Sequence, residues 1–119
     1  MTLIQIIEIL EARVVFGPNA DETEILSVCA SDLMSDLLHF SVRPKAMLIT
    51  GLTNSQVVRT AYISEIKAVV FVLDKTPERE AVELARQKNI PLLVTRLSRF
   101  TACGRLYSEG LRSCTGEDR

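Results

Sequence analysis

The run Ala68-Val69-Val70-Phe71-Val72-Leu73, followed at once by Asp74-Lys75-Thr76-Pro77, decides the fold. A strand that is apolar on every residue has no face to offer to water, so both of its faces are expected to be covered. Thr76 is then well placed as an N-cap and Pro77 as a first helical residue. The predicted helix spans 77–88, with Ala81, Val82, Leu84 and Ala85 as its apolar side. Upstream lies a second continuous run, Ala46-Met47-Leu48-Ile49, which ends at Thr50-Gly51. Thr53 and Gln56 have capping-box spacing and open a predicted helix over 54–65. Downstream, Ile90-Pro91-Leu92-Leu93-Val94 is the third run, ending at Thr95, and a last helix is expected from near Ser98 to about Glu109, stopped by Gly110. Three apolar strands alternating with two helices make a β-α-β-α-β unit. The predicted class is α/β, with a parallel sheet between helical layers and right-handed crossovers.

The N-terminal half reads less cleanly. Thr2 and Gln5 have capping-box spacing ahead of Ile6, Ile7 and Leu10, which predicts a helix over 3–12. Val14-Val15-Phe16 reads as a short strand closed by Gly17-Pro18-Asn19, and residues 24–29 as a second. Two Ser-Asp pairs follow, Ser31-Asp32 and Ser35-Asp36, four positions apart. A helix over 32–40, capped by Ser31 or Asp32, would put Asp32 and Asp36 on one face. One domain over 1–119 is expected, with a core of about 3–111 and a frayed polar tail from 112.

Composition removes several functions. The chain has 119 residues, 47% of them hydrophobic, and a formal net charge of −1 from 14 basic and 15 acidic side chains. Such a balance exerts no general pull on nucleic acid or anionic membranes. Tryptophan is absent and aromatics are scarce, which weakens any base-stacking surface. No apolar run approaches the roughly 18 residues that span a bilayer. No basic segment followed by an apolar block opens the chain, so a cytoplasmic protein is expected. The three cysteines, Cys29, Cys103 and Cys114, are odd in number and have no Cys-x-x-Cys spacing. Neither a disulfide framework nor a zinc site is therefore expected. Cys29 reads as a small core residue and Cys114 as exposed in the polar tail.

Catalytic readings find little support. No Gly-x-x-x-x-Gly-Lys-Ser/Thr string is present to hold a nucleotide for phosphoryl transfer. His39 is the only histidine, and near a helix end it serves as a partner for the helix dipole. Asp32, Asp36 and His39 would be the ligands of any metal site, but Ser and Asp favour the start of a helix without one. Arg99, Arg105 and Arg112 on or near the last helix are diluted by Glu109 and read as a solvated face.

Ser31-Asp32-Leu33-Met34-Ser35-Asp36-Leu37-Leu38, Met47-Leu48-Ile49-Thr50, Ala68-Val69-Val70-Phe71-Val72, Ile90-Pro91-Leu92-Leu93 and Gly104-Arg105-Leu106-Tyr107, in this order and spacing, resemble the DRTGG domain family over about residues 3–111. That family is related to the N-terminal domain of HPr kinase/phosphorylase, and it also occurs joined to CBS domains and in some phosphotransacetylases. The resemblance implies a three-layer α/β/α fold with a mostly parallel sheet, a regulatory or ligand-sensing role, homodimers, and no enzymatic activity of the domain alone. Ser31, Asp32, Ser35 and Asp36 carry the resemblance. The motif that names the family is degenerate: its positions fall on Glu22-Thr23 and Leu26-Ser27-Val28, without the Asp-Arg or the two glycines.

Topology supplies the binding expectation. In open parallel sheets, ligands lie beyond the carboxyl ends of the strands. Those ends are Thr50-Gly51-Leu52-Thr53-Asn54, Asp74-Lys75-Thr76 and Thr95-Arg96. The expected ligand residues are Thr50, Gly51, Thr53, Asn54, Asp74, Lys75, Thr76 and Thr95, receiving a nucleotide or another phosphorylated small molecule. Thr53 and Thr76 also fit plain N-caps, and Gly51 a simple turn. No catalytic residue, cofactor or metal is expected. The alternative is a structural or protein–protein interaction module without a small ligand. Leu3, Ile4, Ile7 and Leu10 together with Leu37, Leu38 and Phe40 offer apolar surface for an isologous dimer contact.

Overall fold

The computed structural model describes residues 1–40 and 42–115. In chain order the elements are α1 (Leu3–Leu10), β1 (Arg13–Phe16), β2 (Ser27–Ala30), α2 (Met34–His39), β3 (Ala46–Thr50), α3 (Ser55–Ile63), β4 (Ala68–Phe71), α4 (Arg79–Lys88), β5 (Leu92–Val94), α5 (Arg99–Ser108) and β6 (Arg112–Ser113). The strands form one sheet in the order β1-β5-β4-β3-β2-β6. Only β1 runs antiparallel, at one edge against β5. The other pairs are parallel.

Every residue of β3, β4 and β5 is buried, which is why these strands carry no polar alternation. Successive side chains go to opposite faces. Leu48, Val69, Phe71 and Leu92 pack with Leu37 of α2, Val57 and Ala61 of α3, and Ala81 and Ala85 of α4. Met47, Ile49, Val70 and Leu93 pack with Leu3, Ile6 and Leu10 of α1 and Ala102 and Leu106 of α5. The result is the expected three-layer α/β/α arrangement. It also separates the apolar residues of which some are expected to form a dimer contact. Leu3 and Leu10 are buried on one side of the sheet and Leu37 on the other, while Leu38 and Phe40 stay exposed. No helix among the described residues is long and apolar enough to cross a membrane.

Several helix starts differ from the sequence expectation. Thr2 and Gln5 do form the capping box of α1, and Ser98 caps α5 through the Thr101 N–H. The cap of α3, however, is Asn54, whose side chain accepts from the Val57 N–H; Thr53 is outside. Helix α4 begins at Arg79 after Glu78, so neither Thr76 nor Pro77 starts it. The Glu78 N–H donates to the Thr53 carbonyl at 2.9 Å, which fastens this segment to the loop after β3 in an extended path. The Thr76 hydroxyl accepts instead from the Arg13 guanidinium at 3.0 Å.

The tail also differs. Arg112 and Ser113 form β6, pairing with Ser27 and Val28 at the free edge of β2. The Cys114 N–H donates to the Val28 carbonyl, and the Cys114 carbonyl accepts from the Arg43 N–H, both at 2.9 Å. Cys114 is buried and disulfide-bonded to Cys29, which corrects its expected exposure and the expected absence of disulfides. The physical reason is an edge strand whose unpaired backbone groups take up whatever segment reaches them. Residues 116–119 of the expected tail lie outside the described residues. Helix α5 ends as expected: Gly110 adopts φ 104°, a conformation that suits glycine.

Candidate ligand-binding site

Four segments converge at the carboxyl ends of β2, β3 and β4. The chain leaving β2 carries Asp32, the end of β3 carries Thr50 and Gly51, the turn after β4 carries Lys75, and the first residue of α5 is Arg99. Oδ1 of Asp32 accepts from the Thr50 hydroxyl at 2.9 Å and from the Gly51 N–H at 2.8 Å. The same oxygen pairs with the Arg99 guanidinium. Lys75 Nζ donates to the Gly51 carbonyl at 3.4 Å. Gly51 is therefore ringed by charge. A Cβ built on it would lie 3.3 Å from Lys75 Nζ, 3.6 Å from Asp32 Oδ2 and 3.7 Å from an Arg99 terminal nitrogen.

Lys75 reaches this place through an unusual turn. Leu73 and Asp74 both have φ 57°, and the Lys75 N–H donates back to the Val72 carbonyl at 3.2 Å. Two successive left-handed residues define a turn that normally takes Asn or Gly. Leu at that position costs about 1–2 kcal/mol. The turn is held by Leu73 N–H to Leu97 carbonyl and Asp74 N–H to Thr95 carbonyl bonds, at 3.0 and 2.8 Å.

The predicted residues divide into two groups. Thr50, Gly51 and Lys75 enter the cluster. Asp74 stands exposed in the turn beside it. Asn54 is used as the α3 cap, Thr53 lends its carbonyl to Glu78, and Thr76 binds Arg13. The buried Thr95 donates its hydroxyl to the Leu10 carbonyl at 2.7 Å and accepts from the Leu97 N–H, so it ties α1 to the sheet end. The Ser-Asp pairs also separate. Helix α2 begins only at Met34, with Leu33 as an N-cap that makes no side-chain bond. Ser31 Oγ accepts from the Leu33 N–H at 2.9 Å in a local turn, and Asp32 points into the cluster. Asp32 and Asp36 therefore do not share a helix face, because Asp32 has stronger donors across the sheet than any helix start provides. Ser35 and Asp36 are exposed in the first turn of α2.

Arg99 was missing from the expected site. Sequence position groups it with Arg105 and Arg112 on one solvated face, yet each has its own partner. Arg105 binds Glu11 at 2.9 Å and the Ile9 carbonyl at 3.0 Å, and the Arg112 guanidinium lies 4.1 Å from the Tyr107 ring centroid. His39 sits in the last turn of α2, edge-on to Phe40. Among the described residues, no group of three or more His, Cys, Asp and Glu could hold a metal ion. A surface cleft of about 620 Å³ runs along α5 beside Ile9, Phe100 and Gly104, and Gly51 does not line it.

Burial alone would raise the pKa of Asp32. The Gly51 N–H, the Arg99 guanidinium and the Thr50 hydroxyl, together with the Arg99 charge, outweigh it and hold the carboxyl below its ordinary range. A depressed folded pKa contributes stability above the unfolded value of about 3.9, and this is lost as pH falls through the folded value. Melting temperatures of the wild type and Asp32→Asn, measured from pH 7 to pH 2.5, should differ most at neutral pH and converge at the acid end. A gap that is constant across this range would show that the charge of Asp32 is not what stabilises the cluster.

The residues onto which the sequence reading places the family's name-giving motif lie elsewhere. Glu22 and Thr23 are in the β1–β2 connection, and Ser27 opens β2, so this stretch sits toward the amino end of the parallel strands. There the Leu26 N–H donates to the Lys45 carbonyl, and Glu24 pairs with Lys45 at 2.7 Å.

A mostly parallel sheet, helices on both faces and polar loops gathered at the carboxyl ends of the strands define a small three-layer α/β domain. The chain belongs to the DRTGG domain family, whose model matches residues 5–108. Among solved structures it is similar to the CBS and DRTGG domains of the regulatory region of Clostridium perfringens pyrophosphatase, a structure complexed with the activator diadenosine tetraphosphate. The TM-score is 0.75 at 21% identity, covering 99% of this chain and 51% of that one, so this chain spans about half the length of that relative. No curated protein is significantly similar in sequence.

Proposed function

We propose that this domain is a non-catalytic regulatory module that senses a phosphorylated small molecule, in the class of nucleotides, at the carboxyl ends of β3 and β4. The observation that carries the reading is the meeting of Lys75, Arg99 and the backbone of Gly51 at one point. A guanidinium fork, an ammonium and a backbone N–H are the groups that recognise phosphate. Gly51 leaves the backbone open to close approach, and any side chain there would press on the Lys75 ammonium. Membership of the DRTGG family supports a regulatory role, as does a relative whose regulatory region was solved with a nucleotide activator. The signal would pass on as a change in assembly, of a homodimer or with a partner protein.

A ligand that binds only the folded protein raises its melting temperature. ATP or inorganic tripolyphosphate at a hundred times its Kd should contribute about 2.7 kcal/mol, a rise of roughly 10 °C for a domain of this size. Gly51→Val should abolish the rise while the unliganded protein still melts cooperatively. Flat melting curves across adenine nucleotides and inorganic polyphosphates would remove this reading. They would favour an interaction module instead, for which one surface speaks. Leu38, Phe40 and Ile63 are each more than half exposed and line a cleft of about 340 Å³ between the ends of α2 and α3.

A further inference from the structure

The donors around Gly51 are already engaged by an anion of the protein's own. The Thr50 hydroxyl, the Gly51 N–H and the Arg99 guanidinium all address Oδ1 of Asp32. A hydroxyl, a backbone N–H and a guanidinium converging on one charged oxygen are the donor set that a phosphate oxygen takes. We infer that Asp32 is a built-in competitor, its carboxylate holding the position that the ligand's phosphate must occupy. This rests on the reading of the site proposed above and adds its regulation.

Two of the three donors are held more firmly than the acceptor. Thr50 is fully buried at the end of β3 and Gly51 follows it directly in a bend, whereas the Arg99 side chain, 39% exposed, is held no more firmly than Asp32. Asp32 lies between β2 and α2 in neither element, and 44% of its side chain is exposed. An ion pair that exposed is weak. The Thr50 hydroxyl and the Gly51 N–H can therefore stay while the carboxylate swings out, and a phosphate with more charge and more acceptor oxygens takes its place, with the Arg99 guanidinium free to follow it. The swing moves residues 31–33, which lead directly into α2, so occupancy of the site is relayed to the exposed Leu38 and Phe40.

Binding of ATP and of inorganic tripolyphosphate, measured by calorimetry on the wild type, Asp32→Asn, Asp32→Ala and Asp36→Asn, tests this. Asp32→Asn keeps an acceptor for Thr50 and Gly51, so it preserves the fold even where the alanine variant does not. Both Asp32 substitutions are expected to tighten binding about tenfold. Asp36→Asn removes the same charge four residues away and should leave affinity unchanged. Equal or weaker binding by the Asp32 variants, or equal tightening by Asp36→Asn, overturns the competitor role while the site reading stands. No binding by any of the four proteins removes both.

Discussion

Phe71→Ala is expected to cost about 3–5 kcal/mol of folding stability, the range for removing a buried aromatic ring. Phe71 is completely buried and is the largest fully buried side chain among the described residues. It lies on β4, which has β3 on one side and β5 on the other. Its ring belongs to the layer shared with Val57, Ala61, Ala81 and Ala85 of α3 and α4. The same cluster holds Val58, Ile66, Ile90 and Leu92, and a layer packed this closely relaxes only in part over the space that the ring would leave, so a cavity term adds to the lost burial. Domains hold only about 5–15 kcal/mol in total. Urea unfolding should show the loss directly, together with a fall in melting temperature of roughly 10–20 °C. A cost under about 1 kcal/mol would mean that α3 and α4 move in to fill the space, contrary to a tightly packed layer.

Reduction of the Cys29–Cys114 bond is the second large effect, at about 2–5 kcal/mol. The bond joins residues 85 positions apart and so removes much of the freedom of the unfolded chain. It also fastens the two-residue strand β6 to the edge of β2. Melting curves with and without a phosphine reductant should be separated by about 10 °C or more, and Cys114→Ser should melt like the reduced wild type. Alkylation in denaturant without reductant should label Cys103 alone. Cys103→Ser should leave the difference unchanged. Burial pushes the Cys103 thiol up in pKa, although the nearby Arg99 charge pulls the other way, so it takes no ready part in exchange. Superimposable curves from fully oxidised and fully reduced protein would show that β6 needs no covalent tie.

The cap assignments show how far local patterns carry. Thr2 with Gln5 and Ser98 with Thr101 were legible because a cap joins residues two or three apart, and nothing distant competes for them. Thr53 and Thr76 had the same local pattern and failed, because the bond between Glu78 and Thr53 redirects the segment before α4. Asp32 failed as a cap for the same kind of reason. Its donors come from Thr50, Gly51 and Arg99, and no local spacing announces them. The disulfide was hidden likewise: an odd number of cysteines argues against pairing, and a two-residue strand carries no periodicity.

The continuous apolar runs at 46–49, 68–73 and 90–94, alternating with helices, pointed to a parallel sheet buried on both faces, since strands with no polar face need a covering layer on each side. They also located the polar loops at one end, among them Thr50, Gly51 and Lys75. Folding was needed to bring Asp32 and Arg99 to Gly51, to place β1 antiparallel against β5, and to turn a polar tail into β6. Strand periodicity is written in consecutive residues. A charge cluster is made by chain segments that meet only when the sheet is assembled, and its membership is decided by which donors are then within hydrogen-bond reach.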